Sequence, residues 1–206
     1  MITLFGAPGA GKTVQGQLLA KKYGWEWISY RDLLMSLHDR DIKYALEHGM
    51  FIDDDKATKL FSRVLNEAQE RTARFKSNEK SQIVLDGFPA DYRQLKWLIE
   101  SRDIQHLDGA IVLRVPRGEL WRRLVERKRV DDTRAAIERR QDAYERNITG
   151  MIRALTMNGI DVREVDGGNS PSDVLKRIEG VLEGWGMIPK KEYARIEKPR
   201  NIRASI

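Results

Sequence analysis

Apolar positions along this 206-residue chain follow two different periods. Short runs rich in β-branched and apolar residues occur at Ile2 to Phe5, Trp25 to Ser29, Gln82 to Asp86, Ala110 to Val115 and Asp161 to Val165, and stretches of helical spacing such as Val14 to Tyr23 separate them. Strands that alternate with helices build βαβ units around a parallel sheet, so the pattern predicts an α/β fold. The stretch Asp32 to Lys76, helical apart from a break at Glu47 to Asp55, is too long for a simple crossover and predicts a small helical lobe over about residues 30–76. Asp131 to Met157 reads as one long arginine-rich helix. In "GGNSPSDV", Ser170 suits an N-cap and Pro171 the first position of a last helix, which should end near Gly184 to Gly186. Residues 1–186 are thus expected to form one domain, and the basic stretch 187–206 a tail that lies over the surface or is disordered.

Composition narrows the class. The length suits one buried α/β core with a small appended lobe. With no cysteine there is no disulfide scaffold and no thiolate zinc site. No segment is apolar enough to span a bilayer, and no apolar stretch follows a basic start as in a secretory signal, so a soluble, cytoplasmic protein is expected. A monomer is the expected state. The net charge of +6 raises nucleic acid as a partner. Much of the excess lies in Arg114 to Arg140 and Lys190 to Arg203, where no nucleic-acid motif occurs, and gripping nucleotide phosphates needs many cations too. Nucleic acid is therefore not the expected partner.

The chemistry starts at "GAPGAGKT". Gly6, four residues, Gly11, Lys12 and Thr13 fit the G-x-x-x-x-G-K-[ST] pattern, whose glycines turn backbone N–H groups toward one phosphate. Lys12 would reach the terminal phosphates, facing solvent until they arrive, and the Thr13 hydroxyl would sit on Mg²⁺. The other reading is a glycine-rich turn that binds nothing. A strand-like run before it and an amphipathic run after it argue for phosphate. A second anchor is "QIVLDGFP". Ligands of parallel sheets bind at the carboxyl ends of strands, so Asp86 should emerge beside the glycine loop and help hold Mg²⁺. Third comes "RRLVERKRVDD". Arg123 and Arg127 share a helix face, Arg140 lies on the next helix, and guanidinium forks suit a transferring phosphoryl group. Asp131 and Asp132 can pin these arginines and cap the following helix.

"GAPGAGKTVQG", "DGFP" with Gln94 four residues after Ala90, and "RKRVDD" with a later arginine resemble, in this order, the adenylate kinase family of nucleoside monophosphate kinases. The resemblance covers roughly Met1 to Leu182. It implies a P-loop fold of three layers with a five-stranded parallel sheet, a helical lobe that binds the monophosphate, and a lid over ATP, here very short and spanning about residues 123–140. By that resemblance Gly6, Ala7, Pro8, Gly9, Ala10, Gly11, Lys12, Thr13 and Val14 cradle the ATP phosphates. Thr13 and Asp86 serve Mg²⁺, and Arg123 packs on adenine opposite Pro171. Lys12, Arg127, Arg129 and Arg140 act on the phosphates, with Asp131 and Asp132 orienting the arginines. Ser29, Tyr30, Arg31, Gly87, Arg93 and Gln94 fall on the acceptor side, where Gln94 matches the glutamine that reads the acceptor base.

The chain also departs from the family pattern. The usual Ser-Thr-Gly-Asp is Ser29-Tyr30-Arg31-Asp32, and the two arginines expected at the acceptor's phosphate are Met35 and Ala90. Arg31 and Arg93 are the nearby cations that could replace them. Two functions follow: an ATP-dependent nucleoside monophosphate kinase acting on AMP or another monophosphate, or an ATP-binding relative with weak or lost kinase activity that serves as a sensor or interaction protein. A nucleic-acid NTPase would need a binding element that the chain does not display.

Overall fold

The computed structural model describes residues 1–48, 50, 52, 54–74, 82–101, 103–129 and 132–190. Residues 191–206 of the expected tail, part of the Glu47 to Asp55 break, and Asp131 lie outside the described residues. Five strands, β1 (Ile2–Gly6), β2 (Glu26–Ser29), β3 (Ile83–Asp86), β4 (Gly109–Arg114) and β5 (Val162–Asp166), form a single sheet in the order β2-β3-β1-β4-β5. All four pairings are parallel, as the strand–helix alternation predicted, and Ile2 of β1 lies level with Val84 on one side and Gly109 on the other. β1, β3 and β4 are central and covered on both faces, which is why they run apolar apart from the hydrogen-bonded Thr3 and the strand ends Asp86 and Arg114.

Successive strand side chains point to opposite faces, so one sheet feeds two cores. Leu85 and Val112 join Leu34, Phe61, Leu95 and Met151 on one face. Val84, Ile111 and Leu113 join Leu19, Leu120, Ile178 and Leu182 on the other. The helices are α1 (Lys12–Tyr23), α2 (Tyr30–Ser36), α3 (Arg40–His48), α4 (Asp54–Arg74), α5 (Tyr92–Glu100), α6 (Arg117–Arg127), α7 (Arg134–Met157) and α8 (Pro171–Gly184). α8 has Ser170 as N-cap, the hydroxyl accepting from the Asp173 N–H, with Pro171 in its first turn, as the sequence predicts.

α7 starts later than expected. Its N-cap is Thr133, whose side chain accepts from the Ala136 N–H, and the Asp132 carboxylate is turned instead toward arginines. A carboxylate gains more from two guanidinium partners than from one backbone N–H. The helices α2, α3 and α4 stand between β2 and β3, yet they do not form a separate core. Phe61 of α4 stacks on Phe88, which follows β3, at a ring-centroid distance of 3.6 Å, and Tyr30 packs against both rings.

Candidate active site

The carboxyl ends of β1, β2 and β3, the inner face of α6 and the loop after β5 border one cleft of about 1020 Å³. Its floor is the loop from Gly6 to Gly11. Gly9 (φ 88°) and Gly11 (φ 96°) hold left-handed backbone that other residues rarely adopt, and a Cβ on Gly9 would also meet the Leu120 carbonyl and Leu124 at 3.0 Å. Gly11 is the N-cap of α1 and no side chain caps it. The first N–H groups of that helix and its positive end are therefore left to an anion.

Lys12 is half-buried in the cleft wall and does not extend freely into solvent as expected. Its Nζ donates to the Gly6 carbonyl (2.6 Å) and the Ala7 carbonyl (3.3 Å), so the ammonium is folded over its own loop. A partly buried ammonium has three donors to satisfy, and these carbonyls lie within its reach. Burial lowers its pKa, Asp86 raises it, and Arg127 and Arg140 lower it further, leaving it below the ordinary lysine value. Ala7 contributes this carbonyl and does not line the cleft, whereas Pro8, Ala10, Thr13 and Val14 do. Thr13 Oγ1 donates to Asp86 Oδ2 at 2.7 Å. The hydroxyl and carboxylate thus meet beside the glycine loop, an all-oxygen pair suited to a hard divalent cation that keeps water and phosphate as its other ligands. Asp86 is brought there by the parallel register that sets it against Leu4. The loop after it, including Gly87, is anchored by Thr3, whose buried hydroxyl donates to the Phe88 carbonyl at 2.7 Å.

Above the floor, the turn between α6 and α7 is organised by Asp132. Its carboxylate accepts from Arg127 (2.7 and 2.8 Å) and from Arg140 (2.9 Å), so two cleft arginines share one nearly buried anion. Burial pushes the Asp132 pKa up, but hydrogen bonds and charge from Arg127 and Arg140 outweigh it and hold the group below the usual aspartate value. Arg129 lines the same cleft. Arg123, one turn earlier on α6, is directed elsewhere: its Nε donates to Glu119 (2.7 Å) and its Nη2 to the Gly167 carbonyl (2.9 Å), next to the Gly168–Pro171 rim. Gln15 closes that rim from below by donating to the Pro171 carbonyl (3.0 Å).

The other half of the cleft differs in character. Ser29 caps α2 by accepting from the Asp32 N–H (3.2 Å), Tyr30 is buried, and Arg31 lines the cleft. Gln94 is buried; its amide donates to the Tyr30 hydroxyl (2.8 Å) and accepts from the Ala90 N–H (2.7 Å), so the side chain is fixed by the protein. Arg93 is not brought in. Its guanidinium lies outside the cleft lining, 3.3 Å from Asp91, the N-cap of α5. Met35 is 40 % exposed and also outside the lining, and Ala90 lines it without charge.

The family model described as adenylate kinase matches residues 4–160. The chain belongs to the adenylate kinase family. Similar curated proteins include adenylate kinases from Clavibacter michiganensis subsp. michiganensis, 29% identical over 94% of this chain and 98% of that relative, and Thermus thermophilus, 28% identical over 88% and 96%. The adenylate kinase of Prochlorococcus marinus is 34% identical over 84% of this chain and 93% of the relative. The observed sheet and cleft are those of a P-loop adenylate kinase fold, as the sequence motifs implied.

Sequence reasoning missed one wall of this kinase-family cleft. Ala143, Tyr144 and Asn147 on α7 line it, as do Leu34, Ala45, Leu46, Met50 and Ile52 across from them. The α7 residues fall three, four and seven positions after Arg140, the spacing of one helix face, so that signal was present. The apolar wall carried no signal that separates lining from core. Among the described residues no helix is long and apolar enough to cross a membrane.

Proposed function

We propose that this cleft transfers the γ-phosphoryl group of MgATP to a nucleoside monophosphate, and that the chain works as a monomer in the cytoplasm. The observation that carries the reading is the convergence, in one cleft, of a Thr13–Asp86 oxygen pair beside a glycine loop with the Arg127–Asp132–Arg140 cluster. The loop N–H groups and the start of α1 bind the donor's phosphates, and Lys12 exchanges its Gly6 and Ala7 carbonyls for phosphate oxygens. Thr13 and Asp86 would hold Mg²⁺, which when bound neutralises phosphate charge and orients the chain. Arg127, Arg129 and Arg140 answer the charge that spreads over the transferring oxygens, and Asp132 keeps two of them aimed before substrate arrives. Arg123 and the rim at Pro171 border the donor base. No side chain forms a covalent bond to phosphorus. Family membership supports a phosphotransferase over a sensor protein.

On the acceptor side Arg31 is the proposed cation, with Ser29, Tyr30, Gly87 and Gln94 bordering the acceptor. Arg93 has the weaker support, since its guanidinium lies on Asp91. A coupled assay with MgATP across AMP, CMP, UMP, GMP and dTMP tests the reading: turnover of at least one is expected, and turnover of none overturns it. The double variant Met35→Arg plus Ala90→Arg should raise kcat/KM for that acceptor about tenfold or more, the scale of added charge-assisted contacts. A wild type already as efficient as the double variant would show that these departures do not weaken the site.

A further inference from the structure

The last turn of α3 ends on a carbonyl that no residue of its own helix can reach, because the helix stops at His48. That carbonyl accepts from Arg139 Nε at 2.8 Å, a residue 91 positions later on α7. A guanidinium on the negative end of a helix is favourable both as a hydrogen-bond donor and as a charge. The pairing joins two walls of one cleft, since α3 and the residues just after it supply Ala45, Leu46, Met50 and Ile52, and α7 supplies Arg140 and Asn147. Arg139 and Arg140 are neighbours in sequence and diverge by about 100° around α7. One grips the acceptor-side lobe and the other, held by Asp132 at 2.9 Å and by the Ala136 carbonyl at 3.2 Å, faces the phosphoryl centre.

We propose that Arg139 is a positioning residue that latches the acceptor-side lobe against α7, setting the lobe at its working distance from Arg140 before any acceptor binds. The lobe's wall is otherwise apolar, with Arg31 as its cation among the described lining residues, so an acceptor phosphate has little charge there to draw the lobe inward. A hydrogen bond within the protein takes over that task. The lobe is then held close without ligand, and the acceptor's apparent affinity is not reduced by a small population of the closed form.

The kinetic part of this proposal rests on the phosphotransferase reading; a distance measurement does not. The chain has no cysteine, so Lys43→Cys on α3 and Thr149→Cys on α7, both exposed, place two spin labels across the cleft without other sites. In the ligand-free protein one narrow distance is expected. Arg139→Ala should broaden it toward longer distances, and Arg139→Lys, which keeps a donor for the carbonyl, should restore most of it. In steady-state assays Arg139→Ala should raise the acceptor KM roughly three- to tenfold, as for the loss of one hydrogen bond, while kcat and the MgATP KM stay within about twofold. An unchanged distance in Arg139→Ala overturns the latch whatever the kinetics. A broadened distance with an unmoved acceptor KM overturns its positioning role. A rise of both KM values together with an early melt would make the residue merely structural and overturn it too. A parent that turns over no monophosphate would sink the phosphotransferase reading, while the distance measurement still decides the latch.

Discussion

Lys12 is a charged group kept partly out of water by its own loop and held by two carbonyls. Its pKa lies below that of an unfolded lysine, so the charged form costs the fold stability at neutral pH. Lys12→Ala should therefore melt no earlier than the parent while losing about 10² or more in kcat, on the scale of one preorganised donor; calorimetry and a coupled assay check both. Normal turnover in that variant would sink the phosphate assignment. Arg127→Ala and Arg140→Ala should each lower kcat by about 10² as well, since the role proposed for them is to answer charge that is greatest in the transition state. A variant that melts early yet turns over normally would show its arginine to be structural.

At the scale of the element, α6 carries an ion ladder. Glu119 accepts from Arg122 and from Arg123 at 2.7 Å, and Arg122 also reaches Glu126 at 2.7 Å. Hydrogen bonds from Arg122 and then Arg123 hold the Glu119 carboxyl down at about 2, against 4.5 for an ordinary glutamate. A depressed carboxylate stabilises the fold above its unfolded value, and that contribution fades as pH falls from 4.5 toward about 2. Glu119→Gln should accordingly melt below the parent at neutral pH, and the gap should close across that window. A gap independent of pH would assign the difference to packing. Because Glu119 also orients Arg123 toward Gly167, the variant should raise the MgATP KM more than the acceptor KM.

For the molecule as a whole, the helices α2, α3 and α4 and the sheet share one core. Phe61, Leu34 and Ile42 belong to the same cluster as Leu85, Phe88 and Val112. Unfolding followed by calorimetry should show one transition, since the lobe has no core of its own to melt separately. Phe61→Ala removes a fully buried ring stacked on Phe88 and should cost about 3–5 kcal/mol while lowering that single transition. Two resolved transitions in the parent would refute the shared core.

By itself the sequence determined the parallel α/β architecture, the glycine loop and the Ser170–Pro171 helix start. Each is written in contiguous residues: strand runs apolar on both faces, glycines at left-handed turns, a cap beside a proline. The position of Asp86 at a strand end was legible for the same reason. What only the tertiary structure decided were relations between distant segments. Lys12 turned onto its own carbonyls, Asp132 left the helix cap to Thr133 and took two arginines, Arg93 swung to Asp91 while Arg31 stayed in the cleft, and Arg139 found His48. A long flexible side chain can satisfy its charge with any of several partners within reach. Which one it takes depends on what the rest of the fold brings near, and that competition leaves no periodic trace in the sequence.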